Sequence, residues 1–223
     1  LSNYQPKSAV IFCNTKQSCK ELAEYLQENG FVALPLHGDL EQKDRDQVLI
    51  QFSNQSCPIL VATDVAARGL DIKDLQAVIN YELFPKPEVY IHRIGRTGRA
   101  GKEGLALSLF EKREQYKLDA ITDFHGNKLQ CDPIEDLKHI SDGAVQNLMQ
   151  TLCISGGRKQ KVRPGDIVGA LTGEAGIAGD TIGRIDIFDS WSYVAVKRMI
   201  ADKALERLQQ GKIKGRTFKV RFI

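Results

Sequence analysis

Short apolar runs alternate with segments of helical periodicity through the first half of the chain. Five of these runs are predicted to be buried strands, at 9–13, 31–36, 59–62, 77–80 and 105–109. Helices are predicted from Asn14-Thr15 to Gly30, over 41–52 and over 113–124, and further helices should lie between most of the strands. Strands and helices that alternate in this way are typical of an α/β fold, with a parallel sheet covered on both faces.

Polar or turn-forming residues follow several of these predicted strands. In parallel α/β sheets, ligands bind beyond the carboxyl ends of the strands. The loops at Asn14, His37 and Thr63 should therefore share one edge of the sheet with a helix start near His92.

The last third of the chain has a different pattern. Strands predicted at 152–154, 182–188, 193–196 and 217–222 are interrupted by helices at 164–171 and 200–208. This β-α-β-β-α-β order is the split βαβ arrangement of RRM domains and many ferredoxin-like folds. Residues 127–150 predict a linker with room for a short helix, so we expect domains at 1–126 and 151–223.

Composition narrows the class of protein. The 223 residues are 42% hydrophobic and 26% charged, which suits two modest globular domains. No run of about 18 apolar residues or signal peptide is visible, and without an initiator Met we expect part of a longer protein. The five scattered cysteines, with no CxxC, favour reduced thiols in a cytoplasmic protein over disulfides or zinc, so no metal site is expected.

The net charge of +3 hides an asymmetry between the two halves. Residues 1–148 carry 17 Lys and Arg against 21 Asp and Glu, whereas residues 149–223 carry 14 against 7. A basic module that follows an acidic one favours a polyanion, such as nucleic acid, as the partner of the tail. A basic surface that merely aids solubility is the alternative.

A concentrated basic stretch runs from residue 92 to residue 101, with the sequence HRIGRTGRAG. Its three arginines, Arg93, Arg96 and Arg99, are separated by glycines and small residues. An arginine fork suits a phosphoryl group because it offers several donors and stays charged. Three arginines this close therefore predict an anion site, although a solvated basic turn is the simpler alternative.

The longer pattern around these arginines resembles motif VI of the DEAD-box RNA helicases. Residues 10–15 resemble motif IV, Gln42-x-x-Arg45 resembles motif IVa, and residues 62–71 resemble motif V closely. The four motifs occur in the family's order over about 100 residues, and His92 favours DEAD-box proteins over DEAH and RecQ-like relatives. The resemblance implies the second RecA-like domain of such a helicase.

The resemblance also implies residue roles at an ATP site. Arg99 would be the arginine finger, Arg96 a second contact to the γ-phosphate, and Asp71 a ribose contact, while His92 and Arg93 would bridge to the partner domain. No Gly-x-x-x-x-Gly-Lys-Ser/Thr and no Asp-Glu-Ala-Asp occur in the sequence. The cofactor is expected to be ATP with Mg²⁺ held by a missing amino-terminal RecA-like domain, and this chain alone should not hydrolyse ATP.

Hydroxyls and glycine N–H groups can donate to RNA phosphates without reading the bases. The expected backbone contacts, with which the family resemblance agrees, are Asn14, Thr15, Gly38, Arg45 and Thr63. Helix capping is the alternative for Asn14 and Thr15. Asp64 is expected to order motif V by ion pairing, beside Thr63 and near Arg68.

The tail matches an RRM only in part. Residues 191–194 align with the RNP1 pattern and make Tyr193 a predicted RNA contact, but Asp189 and Cys153 stand where a basic residue and an aromatic are usual. Trp191 could be a core or turn aromatic. Phosphate contacts with salt-dependent affinity are predicted in two basic loops, at Arg158, Lys159, Lys161 and Arg163, and at Lys212, Lys214 and Arg216.

The tail and core together resemble the DbpA family of bacterial RNA helicases, on residues 156–159, 163–171, 182–186 and 211–216. The resemblance implies a tail that grips a hairpin of 23S ribosomal RNA during assembly of the large subunit. We expect a monomer with no membrane partner. Two rival functions are a DNA helicase of superfamily 2 and a non-enzymatic RNA chaperone with a relic RecA-like domain.

Overall fold

The computed structural model describes residues 1–67, 75–98, 101, 103–126, 128–137, 147–173 and 176–223. The chain forms two compact units. The first comprises Leu1–Arg45 and Pro58–Gln146, and the second comprises Asp46–Cys57 and Asn147–Ile223. The linker predicted at 127–150 holds a 3-10 turn at Ile134–Asp136, and its last residues belong to a strand that begins at Met149.

A five-stranded parallel sheet forms the centre of the first unit. Its strands are β1 (Ala9–Cys13), β2 (Ala33–Leu36), β3 (Ile59–Thr63), β4 (Ala77–Asn80) and β5 (Leu105–Ser108). They lie in the order β2-β3-β1-β4-β5, and every neighbouring pair is parallel. The predicted α/β fold with a RecA-like parallel sheet is confirmed.

The helices of this part of the chain are α1 (Lys16–Glu28), α2 (Gln42–Ser53), α3 (Asp64–Ala67), α4 (Pro87–Ile94) and α5 (Gln115–His125). Thr15 caps α1 through its side-chain oxygen, which accepts from Ser18 N at 3.0 Å. Pro87 opens α4, where its missing N–H removes no helical hydrogen bond. Because α4 runs from Pro87 to Ile94, His92 lies in its last turn. The helix start predicted near His92 is therefore corrected.

The core of the first unit follows from the apolar runs. All five residues of β1 are buried, as are all five of β3, because both strands lie inside the sheet. From α1, Cys19 and Ala23 pack against this layer with no exposed surface. Burial raises the pKa of Cys13 to about 12 and that of Cys19 to about 11, so both thiols stay protonated.

The second unit contains a four-stranded antiparallel sheet. Its strands are β6 (Met149–Ile154), β7 (Ile182–Ile187), β8 (Ser192–Lys197) and β9 (Val220–Phe222), in the order β7-β8-β6-β9. Two helices, α6 (Pro164–Thr172) and α7 (Ala201–Gln210), pack on this sheet through Ile167, Leu171, Ala204 and Leu208. The predicted split βαβ arrangement is confirmed, although β9 begins later than expected.

None of the helices in the described ranges is long and apolar enough to cross a bilayer.

Candidate functional site

The carboxyl ends of the parallel strands bring two of the predicted loops together. Cys13 and Thr63 are register partners at the ends of β1 and β3. The backbone N–H of Asn14 donates to Glu82 Oε2 at 2.6 Å, which ties the end of β1 to the segment after β4. The loops at Asn14 and Thr63 thus share one edge of the sheet.

Arg93 lies at the centre of this edge, with only 1% of its side chain exposed. Its Nε and Nη2 atoms donate to the two carboxylate oxygens of Asp64 at 2.8 and 2.6 Å. Two parallel N–H···O bonds of this kind make the strongest common ion-pair geometry. Helix α4 is thereby held to the start of α3.

The remaining donors of Arg93 reach three other positions. Nη1 donates to Asn80 Oδ1 at 3.2 Å and to the carbonyl of Glu82 at 2.9 Å, and Nη2 donates to Asn14 Oδ1 at 2.9 Å. All five N–H groups of the guanidinium are therefore used inside this unit. The rings of Phe12 and Phe84 lie 5.1 and 5.7 Å from its central carbon.

This network gives Arg93 a role inside the first unit, and the interdomain role expected for it stays a prediction. A buried arginine with every donor occupied cannot also bind a partner domain without breaking hydrogen bonds that are costly to lose. The ion pairing expected for Asp64 is present, but the partner in the structure is Arg93; Arg68 lies outside the described residues. The sequence signal that could have revealed the network is that Asn14, Asp64 and Asn80 all end or follow buried strands.

Arg96 and His92 lie beside a cavity of about 220 Å³ whose other walls include Phe12, Ala67 and Val89. His92 is exposed and Arg96 is half-buried. Across the described ranges, no carboxylate forms an ion pair with Arg96, so its fork is free of an acidic partner there. A cationic fork at a cavity suits the oxygens of a phosphoryl group.

The other two predicted ATP contacts, Asp71 and Arg99, lie outside the described residues. Elsewhere in the described chain, no group of three or more His, Cys, Asp or Glu side chains is placed to hold a metal ion.

The predicted RNA contacts of the first unit have different environments. Thr63 is 7% exposed at the end of β3, whereas Thr15 and Gly38 are exposed. Asn14 is engaged in the Arg93 network, and its amide also donates to the carbonyl of Leu83 at 3.3 Å. Thr15 therefore caps α1 and Asn14 orders a turn, as the capping alternative expected, and the RNA contacts of both residues stay predictions.

Arg45 and His37 stabilise the turns next to these positions. Arg45 Nη2 donates to the carbonyl of Ala66 at 2.5 Å, which joins the start of α2 to the end of α3. His37 is 3% exposed and its Nδ1 accepts from the backbone N–H of Asp39 at 3.3 Å. Burial, and then the charge of Lys20, lower the pKa of His37, so the neutral ring holds the turn that contains Gly38.

In the second unit, the loop at 156–159 is fixed against the turn between β7 and β8. Arg158 N donates to the carbonyl of Phe188 at 2.8 Å, and Lys159 N donates to that of Asp189 at 2.9 Å. A Cβ atom on Gly157 would come within 3.0 Å of Phe188 O, so only glycine permits this approach. The side chains of Arg158 and Lys159 are exposed.

The second basic loop lies beside the first. Lys214 Nζ donates to the carbonyl of Lys161 at 3.1 Å, and a left-handed turn at Lys214 and Gly215 (φ 53° and 76°) carries the loop. Seven exposed cations are thus presented on two neighbouring loops: Arg158, Lys159, Lys161, Arg163, Lys212, Lys214 and Arg216. We call this set the two-loop basic surface.

Tyr193 lies inside the second unit. It is 3% exposed and packs in a cluster of the second unit with Ile50 and Cys153, and its ring meets Phe188 edge-on at 5.6 Å between centroids. Burial raises the pKa of its hydroxyl. A ring enclosed in this way leaves almost no surface for stacking on a base, and the RNA contact of Tyr193 stays a prediction. Trp191 packs against the same cluster, as one of its two alternatives proposed.

Two protein families match the chain. The helicase conserved C-terminal domain matches residues 1–101, and the DbpA RNA binding domain matches residues 151–222. The chain is similar along 100% of its length to the ATP-dependent RNA helicase DbpA of Escherichia coli, with 51% identity, and covers 48% of that protein. It therefore spans about half the length of this relative.

Solved structures agree with these matches. The E. coli DEAD-box protein SrmB, bound to regulator of ribonuclease activity A, is 32% identical with a TM-score of 0.56, over 60% of this chain and 78% of that one. A variant of Saccharomyces cerevisiae Dbp5 bound to RNA and ADP BeF3 is 38% identical with a TM-score of 0.51, over 54% of this chain and 32% of that one. With a helicase domain followed by a DbpA RNA-binding domain, and half its residues identical to a DbpA from end to end, this chain belongs to the DbpA family of DEAD-box RNA helicases.

Proposed function

We propose that this chain is the carboxyl-terminal part of an ATP-dependent RNA helicase that separates RNA strands locally. The observation that carries the proposal is the position of Arg96, half-buried at a cavity next to the Arg93–Asp64 pair and without an acidic partner in the described ranges. Such a site can accept an anion. The names of its DbpA relatives, and the RNA and nucleotide bound to the Dbp5 structure, support RNA and ATP as ligands.

The ATP site would lie between this chain and an amino-terminal RecA-like domain. ATP with Mg²⁺ supplies the γ-phosphoryl group that is transferred to water. Arg96 would donate to oxygens of that group, Arg99 would act as the arginine finger, and Asp71 would bind the ribose. His92, which is exposed on the last turn of α4, is the residue of this site that we expect to reach the partner domain.

The ends of the parallel strands would hold the RNA backbone. Thr15, Gly38 and Thr63 offer hydroxyl or N–H donors, and Arg45 offers a positive charge. RNA phosphates can therefore be bound whatever the base sequence of the RNA. Asn14 would contribute both to this edge and to the Arg93 network. The resemblance to DEAD-box helicases implies local strand separation, not processive translocation.

The second unit would determine which RNA the protein binds. The two-loop basic surface presents its cations on a rigid end of the sheet, which suits a structured RNA more than a flexible single strand. A hairpin of 23S ribosomal RNA is the proposed target, and assembly of the large ribosomal subunit in the cytoplasm is the proposed setting. The protein is expected to act as a monomer.

The proposal is tested with the full-length protein and an RNA duplex. Arg96→Ala should lower RNA-stimulated ATP hydrolysis by about 10²-fold or more, because a donor aimed at the transferred phosphoryl is lost. Arg198→Ala, which removes an exposed arginine of the second unit outside the two-loop basic surface, should change the rate less than twofold. The 223-residue chain alone should not hydrolyse ATP.

Three results would contradict the proposal. Full activity of Arg96→Ala would remove the assigned role of that arginine. Preferential unwinding of a DNA duplex would favour a DNA helicase. Absence of ATP hydrolysis by the full-length protein, with RNA binding retained, would favour an RNA chaperone.

A further inference from the structure

The turn that carries Arg96 is attached to the strand segment before β4 at two points. Thr97 is only 8% exposed although it lies between charged and glycine positions, and its Oγ1 donates to the carbonyl of Leu75. Leu75 N in turn donates to the carbonyl of Arg96 at 3.3 Å, and residues 75 and 97 form a parallel bridge. The turn is therefore hydrogen-bonded to Leu75 through both backbone and side chain.

The segment before β5 closes on the same turn from another side. A Cβ atom on Gly104 would come within 3.0 Å of Gly98 N and of Thr97 Oγ1, which real Cβ atoms do not do. Only glycine at position 104 therefore allows the segment before β5 to pack this close to the turn at Thr97 and Gly98. The next residue, Leu105, donates its N–H to the carbonyl of Gln76 at 2.9 Å. The segments that lead into β4 and β5 are therefore hydrogen-bonded to each other.

Helix α4 and the turn after it are thus fixed at both ends of β4. Arg93 is bound at the carboxyl end, where it reaches Asn80 and Glu82, and Thr97 is bound at the amino end, through Leu75. Arg96 lies between these two attachments. A long, flexible side chain such as arginine can be aimed only if its backbone does not move.

We infer that Thr97 and Gly104 are positioning residues, which fix the backbone of Arg96 so that its guanidinium meets the transferred phosphoryl group. The inference rests on the role of Arg96 in the proposed function. Neither residue needs to touch the nucleotide: Thr97 acts through its hydrogen bond to Leu75, and Gly104 acts by leaving space for the turn.

Hydrogen exchange tests the attachment without any nucleotide. Thr97→Val removes the hydroxyl at almost constant volume, and Thr97→Ser keeps it. In the full-length protein without ATP, Thr97→Val should speed amide exchange of peptides that contain Leu75 and residues 95–98 by about tenfold or more. Thr97→Ser should not, and peptides from β1 should be unchanged in both variants.

Binding of a phosphoryl analogue tests the consequence. With RNA present, Thr97→Val should weaken binding of ADP with aluminium fluoride, which mimics the phosphoryl group during transfer, by about tenfold or more, while ADP alone should bind as before. The turnover number should fall with little change in the KM for ATP, because the lost contact belongs to the transition state. Gly104→Ala should give the same pattern, and Gly179→Ala, where an added Cβ meets no atom within 4 Å, should not.

The outcomes separate the inference from the function on which it rests. If Arg96→Ala loses analogue binding and a folded Thr97→Val does not, the positioning role is wrong and the proposed function stands. If Arg96→Ala itself keeps analogue binding, the proposed role of Arg96 is wrong, and the inference that rests on it is wrong too. If Thr97→Val does not fold, Gly104→Ala decides: normal analogue binding and exchange in that variant would overturn the inference.

Discussion

Arg93 and Asp64 form a bidentate ion pair, with Nε and Nη2 of the arginine 2.8 and 2.6 Å from the two carboxylate oxygens. The two residues are 29 positions apart in sequence, on helix α4 and at the start of α3. The pair therefore joins the stretch that resembles motif V to the stretch that resembles motif VI. It ties the edge of the sheet that carries Asn14 and Thr63 to the helix that precedes Arg96.

Removing one partner of this pair should destabilise the first unit strongly. Arg93→Met leaves Asp64 and Asn80 without their donors, and losing one side of a buried pair costs about 3–5 kcal/mol. Urea denaturation should show a lower midpoint for the transition of this unit. Arg93→Met combined with Asp64→Leu should recover part of the loss, because no unpaired carboxylate then remains.

An exposed ion pair provides the control for that experiment. The side chains of Arg113 and Glu111 are 80% and 65% exposed, at an N–O distance of 2.8 Å. Arg113→Met should change stability by less than about 0.5 kcal/mol, because exposed pairs contribute little. Equal losses at Arg93 and Arg113 would contradict the buried network.

Acid should weaken the turn that contains Gly38. The pKa of His37 is lowered in the folded protein, first by burial and then by Lys20, from an ordinary value of 6.5. Below about pH 6.5 the unfolded chain gains a proton that folded His37 resists, so the stability contributed by neutral His37 is lost as the pH falls. Denaturation midpoints measured from pH 7.5 to pH 5 should reveal this loss.

Asparagine at position 37 offers the matched comparison. His37→Asn can still accept from Asp39 N through its side-chain oxygen, as in an Asx turn, but it does not titrate. The variant should lose less stability between pH 7 and pH 5 than the parent does, even if it starts lower. Identical pH slopes for the two proteins would rule out His37 as the source.

The two-loop basic surface should dominate RNA affinity in the second unit. Changing Lys159, Lys161 and Arg163 to Ala removes three exposed cations, and each phosphate contact adds about one unit to the slope of log K against log salt. The slope should therefore become less steep by about three. Titrations of the proposed hairpin RNA at several salt concentrations provide the measurement.

Three cations at other positions serve as the control. Changing Lys197, Arg198 and Lys203 to Ala removes the same charge from the same unit without touching the two loops. The slope should change by less than one unit in this variant. Equal effects of both triple variants would show that only net charge matters and that the surface has no defined position.

Tyr193 should contribute to stability and not to RNA binding. Tyr193→Leu keeps an apolar side chain in the cluster of Ile50 and Cys153 but removes the ring, and should cost about 1–3 kcal/mol. Stacking on a base would be worth about 1–3 kcal/mol of affinity. RNA titrations on the folded variant should instead show less than a twofold change; a larger loss would restore the stacking role.

Local pattern predicted most of the fold. The bounds of β1 and β4 are those expected from their apolar runs, and α6 begins at the expected residue, Pro164. These elements depend on nearest neighbours in the chain: side-chain periodicity, a proline at a helix start, or a glycine after a helix end. The arginine stretch and the basic loops were equally visible, since charge clusters are local too.

The burial of individual polar and aromatic side chains could not be predicted from local sequence patterns. Arg93 and Arg96 are three residues apart and chemically identical, yet one is enclosed by five hydrogen bonds and the other lines a cavity. The partners of Arg93 come from the ends of two strands, β1 and β4, and from α3. Only the packing of the whole sheet decides which arginine they meet.

The sequence by itself therefore determined the kinds of element, their order, the family and the chemistry of the candidate residues, because each of these depends on short stretches of chain. The tertiary structure alone decided that Arg93 supports the site from inside, that Thr97 and Gly104 hold the turn of Arg96, and that Tyr193 is covered. Those facts depend on contacts between residues up to 143 positions apart, from Ile50 to Tyr193. No local pattern carries such contacts, because they arise only when the sheets have formed.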